Sequence, residues 1–188
     1  MIYLLRHGLD DENYIGGHSE IDLIEEGKNQ IVKSAFFIKK NLDVKSIITS
    51  DVKRSITSAQ IVKNILKKNI PFSLDSNLRE LDKGDLTGKL KSNLTKKEKR
   101  IISMTDINKK YPNGESMKDM YDRVEALLES GYFSDKENSL IVTHRGVINM
   151  IYFILNKEPL TMDKKKFDVT HASLHELDIK KRKIKKIF

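Results

Sequence analysis

Residues 1–8 read MIYLLRHG. The apolar and aromatic run Ile2–Leu5 has the length and character of a buried strand, and it ends abruptly in a cation, an imidazole and a glycine. The same habit recurs twice. IITSDVKR (47–54) leaves a β-rich run at Ser50 and Asp51, with Arg54 one helical turn later, and LIVTHRG (140–146) leaves another at Thr143, His144, Arg145 and Gly146. Three strands of this kind, each running into a polar tip, ask for a common explanation.

The intervening chain supplies helices. In residues 23–42, Ile31, Ala35 and Ile38 fall at helical spacing; in residues 51–68, Ile61, Ile65 and Leu66 share one expected face. The apolar stretch VINMIYFILN (147–156) follows the strand SLIVT (139–143). Shorter strands are expected at SIIT (46–49) and FSL (72–74). Two closing strands are expected at SLHEL (173–177) and KIKKIF (183–188), the last alternating as an edge strand does. Strand–helix alternation of this sort predicts an α/β fold: a three-layer αβα sandwich with a mostly parallel central sheet and helices on both faces. The length, 188 residues, suits one domain over 1–188. Residues 82–114 stand apart, being polar, rich in lysine and broken by Gly84, Gly88 and YPNGES (111–116). They read as an excursion from the sheet, helical in its middle and placed to act as a lid.

Composition narrows the chemistry. With 38% hydrophobic and 33% charged residues, the balance is that of a soluble globular protein. No apolar run approaches the length that crosses a bilayer, and the apolar start is too short for a signal peptide. Cysteine is absent, which removes disulfides, thiolate nucleophiles and thiolate metal sites and fits a cytoplasmic location. The net charge of +8 favours anionic partners. The basic runs Lys96–Arg100 and Lys180–Lys186 read as solvated faces; no aromatic platform or motif points to nucleic acid, and no membrane partner is expected.

Ligands of open α/β sheets bind at the carboxyl ends of the strands. Arg6, His7, Arg54 and His144 should therefore meet at one rim. Two guanidinium forks suit phosphate oxygens, and helix N-termini add amide donors. A neutral imidazole is a competent nucleophile, a second imidazole can steady transferring charge, and Glu80 in LRELDKGDLTG (78–88) offers an acid for the leaving oxygen. Against these stand plainer readings: Arg54 as a surface charge, Glu80 as an ion pair with Arg79. Ser50 and Asp51 read as turn and cap residues, Thr143 as a strand end or phosphate donor, His18 as a pocket-mouth or loop residue, and His171 and His175 as packing or solvation.

At these positions the chain resembles the histidine phosphatase superfamily, also called phosphoglycerate mutase-like. LLRHG is similar to its signature and SDVKRSITSAQIV to its Ser-Asp-x-x-Arg element. RELDKGDLTG is similar to its acid-bearing loop, YPNGES to its Pro-x-Gly-Glu-Ser turn, and IVTHRGVI to its second-histidine motif. THASLHEL (170–177) is similar to the lead into its closing strands. The motifs come in family order and span nearly the whole chain.

The resemblance implies a metal-independent, cofactor-free phosphomonoesterase acting on a small phosphorylated metabolite through a phosphohistidine. His7 would be the nucleophile, Arg6, Arg54 and His144 would hold the phosphoryl group, and Glu80 would be proton donor and then base. Asn13 would contact phosphate. Departures are Leu9-Asp10 in place of a polar pair, and Arg145 where glycine is common, a substrate-binding candidate beside His144. The alternatives are a phosphoglycerate mutase-type phosphotransferase, whose insertions around the acid loop are longer, and a non-catalytic phospho-ligand binder.

Overall fold

The computed structural model describes residues 1–67, 69–163 and 165–188. Six strands form one sheet: β1 (Ile2–Arg6), β2 (Ser46–Thr49), β3 (Phe72–Leu74), β4 (Ser139–Thr143), β5 (Leu174–Asp178) and β6 (Lys183–Lys186). Their spatial order is β3-β2-β4-β1-β5-β6. The first four in that order run parallel, while β5 and β6 pair antiparallel. The helices are α1 (Glu25–Asn41), α2 (Lys53–Leu66), α3 (Lys96–Ile102), α4 (Met117–Glu129) and α5 (Arg145–Asn156). The expected α/β sandwich is present, and its sheet is mixed at the β5–β6 end.

The period-two alternation of the strands divides two cores. Tyr3, Leu5, Leu140 and Val142 face α1 and α2, meeting Ile31, Ala35, Ile38 and Val62. Leu4 and Ile141 face the other way, toward Met120 and Val124 of α4 and Ile148 and Ile151 of α5. α1 turns the expected residues inward. α2 does so for Leu66 alone of its expected three: its buried residues are Arg54, Ser55, Ser58, Ala59, Val62 and Leu66, leaving Ile61 and Ile65 half-buried. Small residues allow this close approach beside β1, where the Ser58 hydroxyl accepts from the Gly8 N–H at 3.2 Å. Lys68, the last residue of the expected α2 stretch, lies outside the described residues.

Gly8 packs against helix backbone. A Cβ there would lie 2.3 Å from the Gly27 carbonyl oxygen, and a Cβ on Gly27 would lie 2.0 Å from that of Leu9. The two glycines thus lock the β1 exit onto the first turn of α1. On the opposite side, the lysine-rich excursion is fastened to residues 13–15. Its backbone hydrogen bonds are Ile15 N–H to Lys89 O, Gly88 N–H to Ile15 O and Lys91 N–H to Asn13 O, each 2.8 Å. Its middle is helical, as expected: α3 begins with a reciprocal cap between Thr95 and Glu98. Among the described residues no helix is long and apolar enough to cross a membrane.

Candidate active site

The strand order places the carboxyl ends of β2, β4 and β1 side by side. His7 N–H donates to the Thr143 carbonyl at 3.0 Å, and Ser50 N–H to that of Val142 at 3.0 Å. His7 and His144, distant in sequence, come to lie with ring centroids 5.2 Å apart. Arg54, in the first turn of α2, reaches between them. Arg6, His7, Arg54 and His144 are 6%, 3%, 2% and 0% exposed, so four basic side chains share one buried rim.

Their hydrogen bonds fix which nitrogens carry protons. His7 Nδ1 lies 2.7 Å from the Gly8 carbonyl, which can only accept, so Nδ1–H donates. Arg54 Nε donates to His7 Nε2 at 3.2 Å, so that nitrogen keeps its lone pair. Arg54 Nη2 lies 3.3 Å from His144 Nδ1, which must likewise accept. The remaining proton of His144 is on Nε2, facing Ser50 Oγ at 2.9 Å and Ser55 Oγ at 3.3 Å. Burial, and then the Arg54 guanidinium, hold both imidazoles well below their ordinary pKa. Both are neutral near pH 7.

Arg54 is otherwise held by the Gly17 carbonyl at 2.8 Å and by Asp10, whose carboxylate is 3.4 Å from Nε. Arg6 donates to the Val169 carbonyl at 3.0 Å and to His171 Nε2 at 2.5 Å. Burial, then the neighbouring Arg145, bring its pKa down to about 10. His171 also packs edge-on to His7 at 5.7 Å. It packs against the basic cluster, within the packing role expected of it but beside Arg6 and His7, and burial followed by Arg6 lowers its pKa to about 3. Pairing of β1 with β5 brings it there, with Arg6 N–H bonded to the Ser173 carbonyl.

Glu80 approaches from the loop after β3. Its Oε1 accepts from Leu81 N–H at 2.9 Å and its Oε2 from Gly146 N–H at 3.2 Å. Burial alone would raise its pKa. His144, the Leu81 amide, Arg54 and the Gly146 amide outweigh burial and lower it to about 2. The pull of His144 acts only while that ring is protonated, so the amides and Arg54 are the lasting part. Arg79 does not pair with Glu80: its fork engages Asp51 at 2.6 and 2.5 Å. Asp51 is thereby taken from the expected helix cap, and the N-cap residue of α2 is Val52, which gives no side-chain cap. His18 donates to the Glu80 carbonyl at 2.8 Å. Arg123 of α4 donates to the Arg79 and Asn77 carbonyls, so the acid loop is held from both sides.

A cavity of about 280 Å³ opens onto Arg6, His7, Arg54, Glu80, Arg145 and Gly146. Lys83 and Lys91 of the excursion form one wall, and Met117, Met120, Met150 and Phe153 another. Arg145, flagged in the sequence, does face this cavity. Asn13 does not. Its amide bonds to Asp11 at 2.9 Å, its N–H to the same carboxylate at 3.0 Å, and it lines a separate outer depression with Tyr14 and Lys91. That local turn points the side chain outward. Thr143 is also spoken for, donating to the Leu78 carbonyl at 2.8 Å. Among the described residues, no group of three or more His, Cys, Asp or Glu side chains is placed to share a metal ion.

Two buried guanidinium groups thus surround two neutral imidazoles at the strand ends, with a carboxylate at the edge. The histidine phosphatase superfamily (branch 1) profile matches residues 2–187, and the chain belongs to that family. An Escherichia coli K12 protein named "Probable phosphoglycerate mutase GpmB" is 36% identical over 135 residues, 69% of this chain and 61% of that relative. The match therefore spans less than two thirds of the relative's length. A mycobacterial glucosyl-3-phosphoglycerate phosphatase has a similar fold, with TM-score 0.70 and 22% identity, covering 98% of this chain and 95% of that one. So does Bacillus stearothermophilus YhfR, with TM-score 0.76 and 24% identity over 94% and 91%.

Proposed function

We propose that the protein is a metal-independent phosphomonoesterase acting on a small phosphorylated metabolite through a phosphohistidine. One observation carries this reading: the His7 Nε2 lone pair is held ready by the Gly8 carbonyl and meets the Arg54 Nε–H. A phosphoryl group entering the rim would draw the Arg54 N–H onto its own oxygens and leave Nε2 free to attack phosphorus. The ester P–O bond breaks as the P–N bond forms, and Glu80 gives its proton to the departing alkoxide. Water then attacks phosphorus, the P–N bond breaks, Glu80 takes a proton from the water, and phosphate leaves. Arg6, Arg54 and His144 hold the oxygens throughout, and Arg145 meets a second anionic group on the substrate.

Amides and Arg54 hold Glu80 as a carboxylate, so on this reading its proton arrives with the substrate. A phosphomonoester has a second pKa near about 6 and binds in part as a monoanion. Seating it among arginines favours its dianion, and the dianion raises the proton affinity of the adjacent carboxylate. Proton transfer from ester to Glu80 on binding follows.

The test is hydrolysis of p-nitrophenyl phosphate in excess EDTA by wild type and His7→Ala. Activity that survives EDTA and disappears in the variant is expected. An inactive wild type that still binds phosphate would turn the reading to a non-catalytic binder. The name of the E. coli relative favours one other activity, phosphoglycerate mutase. Isomerisation of 3-phosphoglycerate without release of phosphate would establish it instead.

A further inference from the structure

Gly146 occupies the second position of α5, where its backbone is ordinary helix. A glycine there costs helix stability relative to alanine, so its reason lies elsewhere. A Cβ on Gly146 would fall 2.0 Å from Glu80 Oε1, 3.1 Å from Glu80 Cδ and 2.7 Å from Met120 Cε. Met120 is unbranched and can yield. Glu80 cannot yield without loss, because its two oxygens are bonded to the Leu81 and Gly146 amides. The carboxylate lies in the notch that the missing side chain leaves.

We propose that Gly146 is a positioning residue for the proton donor: its bare Cα forms the notch that holds the Glu80 carboxylate at the edge of the phosphoryl pocket. This rests on the reading of Glu80 as the acid. The same helical turn follows directly from His144, so one stretch of backbone sets both the imidazole and the carboxylate. General acid catalysis needs the donor within about 3 Å of the leaving oxygen, and a carboxylate free to choose rotamers would meet that need only part of the time. The notch also lets the Gly146 amide and the α5 dipole join the Leu81 amide and Arg54 in holding Glu80 as an anion.

Gly146→Ala expels the carboxylate. Two readouts follow, both beyond what a merely structural change would move. The first is ester selectivity. Methyl phosphate, a poor leaving group, needs the acid; 2,4-dinitrophenyl phosphate does not. Acid catalysis is commonly worth about a hundredfold or more, so the variant should lose at least about tenfold more kcat on the alkyl ester than on the aryl one. In the Glu80→Gln background the same substitution should add little to that selectivity. The second is the carbon-13 signal of the Glu80 carboxyl, whose titration midpoint should rise toward the ordinary carboxylate value. A folded variant with unchanged selectivity and unchanged titration would overturn the proposal. If Gly146→Ala does not fold, adding Glu80→Ala removes the overlapping atoms and should restore folding; failure to do so would also overturn it. A wild type that hydrolyses no ester would sink the proton-donor reading alone, since titration and folding rescue still decide the notch.

Discussion

Replacing Asp10 with asparagine should tighten the pocket's hold on inorganic phosphate. The Asp10 carboxylate lies 3.4 Å from Arg54 Nε and 4.0 Å from His171 Nε2, and it is only 14% exposed. A phosphate held by Arg54 must sit beside it. Taking a −2 charge about 5.5 Å from a −1 charge, the repulsion is about 1.5 kcal/mol in water and about 6 kcal/mol at an effective dielectric of 20. The lower figure already corresponds to about a tenfold change in affinity. Asparagine keeps the shape and removes the charge, so the dissociation constant of phosphate at pH 7 should fall at least about tenfold.

Titration calorimetry with phosphate measures this without relying on turnover. The pH dependence adds a second check. Burial raises the Asp10 pKa, with Arg54 opposing. As pH falls and Asp10 takes a proton, its repulsion vanishes, so the ratio of wild-type to variant constants should close toward one. Phosphate's own titration is common to both proteins and cancels in that ratio. Binding that is unchanged or weakened in the variant would refute the reasoning. It would mean that Asp10 serves the anion by orienting Arg54 more than it harms it by its charge.

Two further outcomes are expected. His175 is fully buried between Tyr152 O–H at 3.0 Å and Ser173 Oγ at 2.9 Å, and burial followed by Lys186 lowers its pKa to about 4. Its contribution to stability is present above the unfolded-state value of about 6.5 and is lost as pH falls toward about 4, with a slope near 1.4 kcal/mol per pH unit. Urea unfolding of His175→Asn between pH 6.5 and 4.5 should be shallower by that amount; parallel curves for the two proteins would exclude it. Arg145→Gly should raise KM by about tenfold more for phosphomonoesters bearing a carboxylate than for a plain aryl phosphate, the usual worth of one charge-assisted contact. Equal changes on both substrates would remove Arg145 from recognition.

Much of the site was legible because its parts sit at strand ends, and strand ends are readable from local pattern. Apolar runs stopping at Arg6-His7, Ser50-Asp51 and Thr143-His144 needed only the rule that parallel strands deliver their carboxyl ends to one rim. His171 was not legible this way. It lies in THASLHEL, which resembles the lead into the closing strands, but its partner there is not local: its place depends on β5 running antiparallel beside β1, which brings it to Arg6 across 165 residues. Asn13 failed for the opposite reason, since a two-residue turn onto Asp11 overrode its place in the motif. Ser50 keeps its turn role, its hydroxyl accepting from the Val52 N–H at 3.4 Å while also meeting His144, but Arg79 claims the Asp51 side chain from the expected cap. α4 did carry a local signal. Ser116 and Asp119 form a reciprocal cap, and Met117, Met120 and Val124 follow at helical spacing.

The proposed reaction joins binding to activation through Arg54. Burying two arginines beside two histidines is tolerable only if every cation finds an acceptor. Here imidazole lone pairs serve beside the Asp10 carboxylate and the Gly17 and Val169 carbonyls: His7 Nε2 and His144 Nδ1 for Arg54, and His171 Nε2 for Arg6. Each imidazole is neutral, whereas a phosphoryl oxygen carries negative charge and meets a guanidinium as an ion pair. In the proposed reaction an arriving phosphoryl group would therefore displace the imidazoles from the guanidinium groups. The displacement at His7 would free the lone pair proposed to attack, and that at His144 would free a nitrogen to face the phosphoryl charge. Arg54 would exchange one acceptor for a better one. On this reading its Nε hydrogen bond to His7 links occupancy of the phosphoryl site to a free nucleophile.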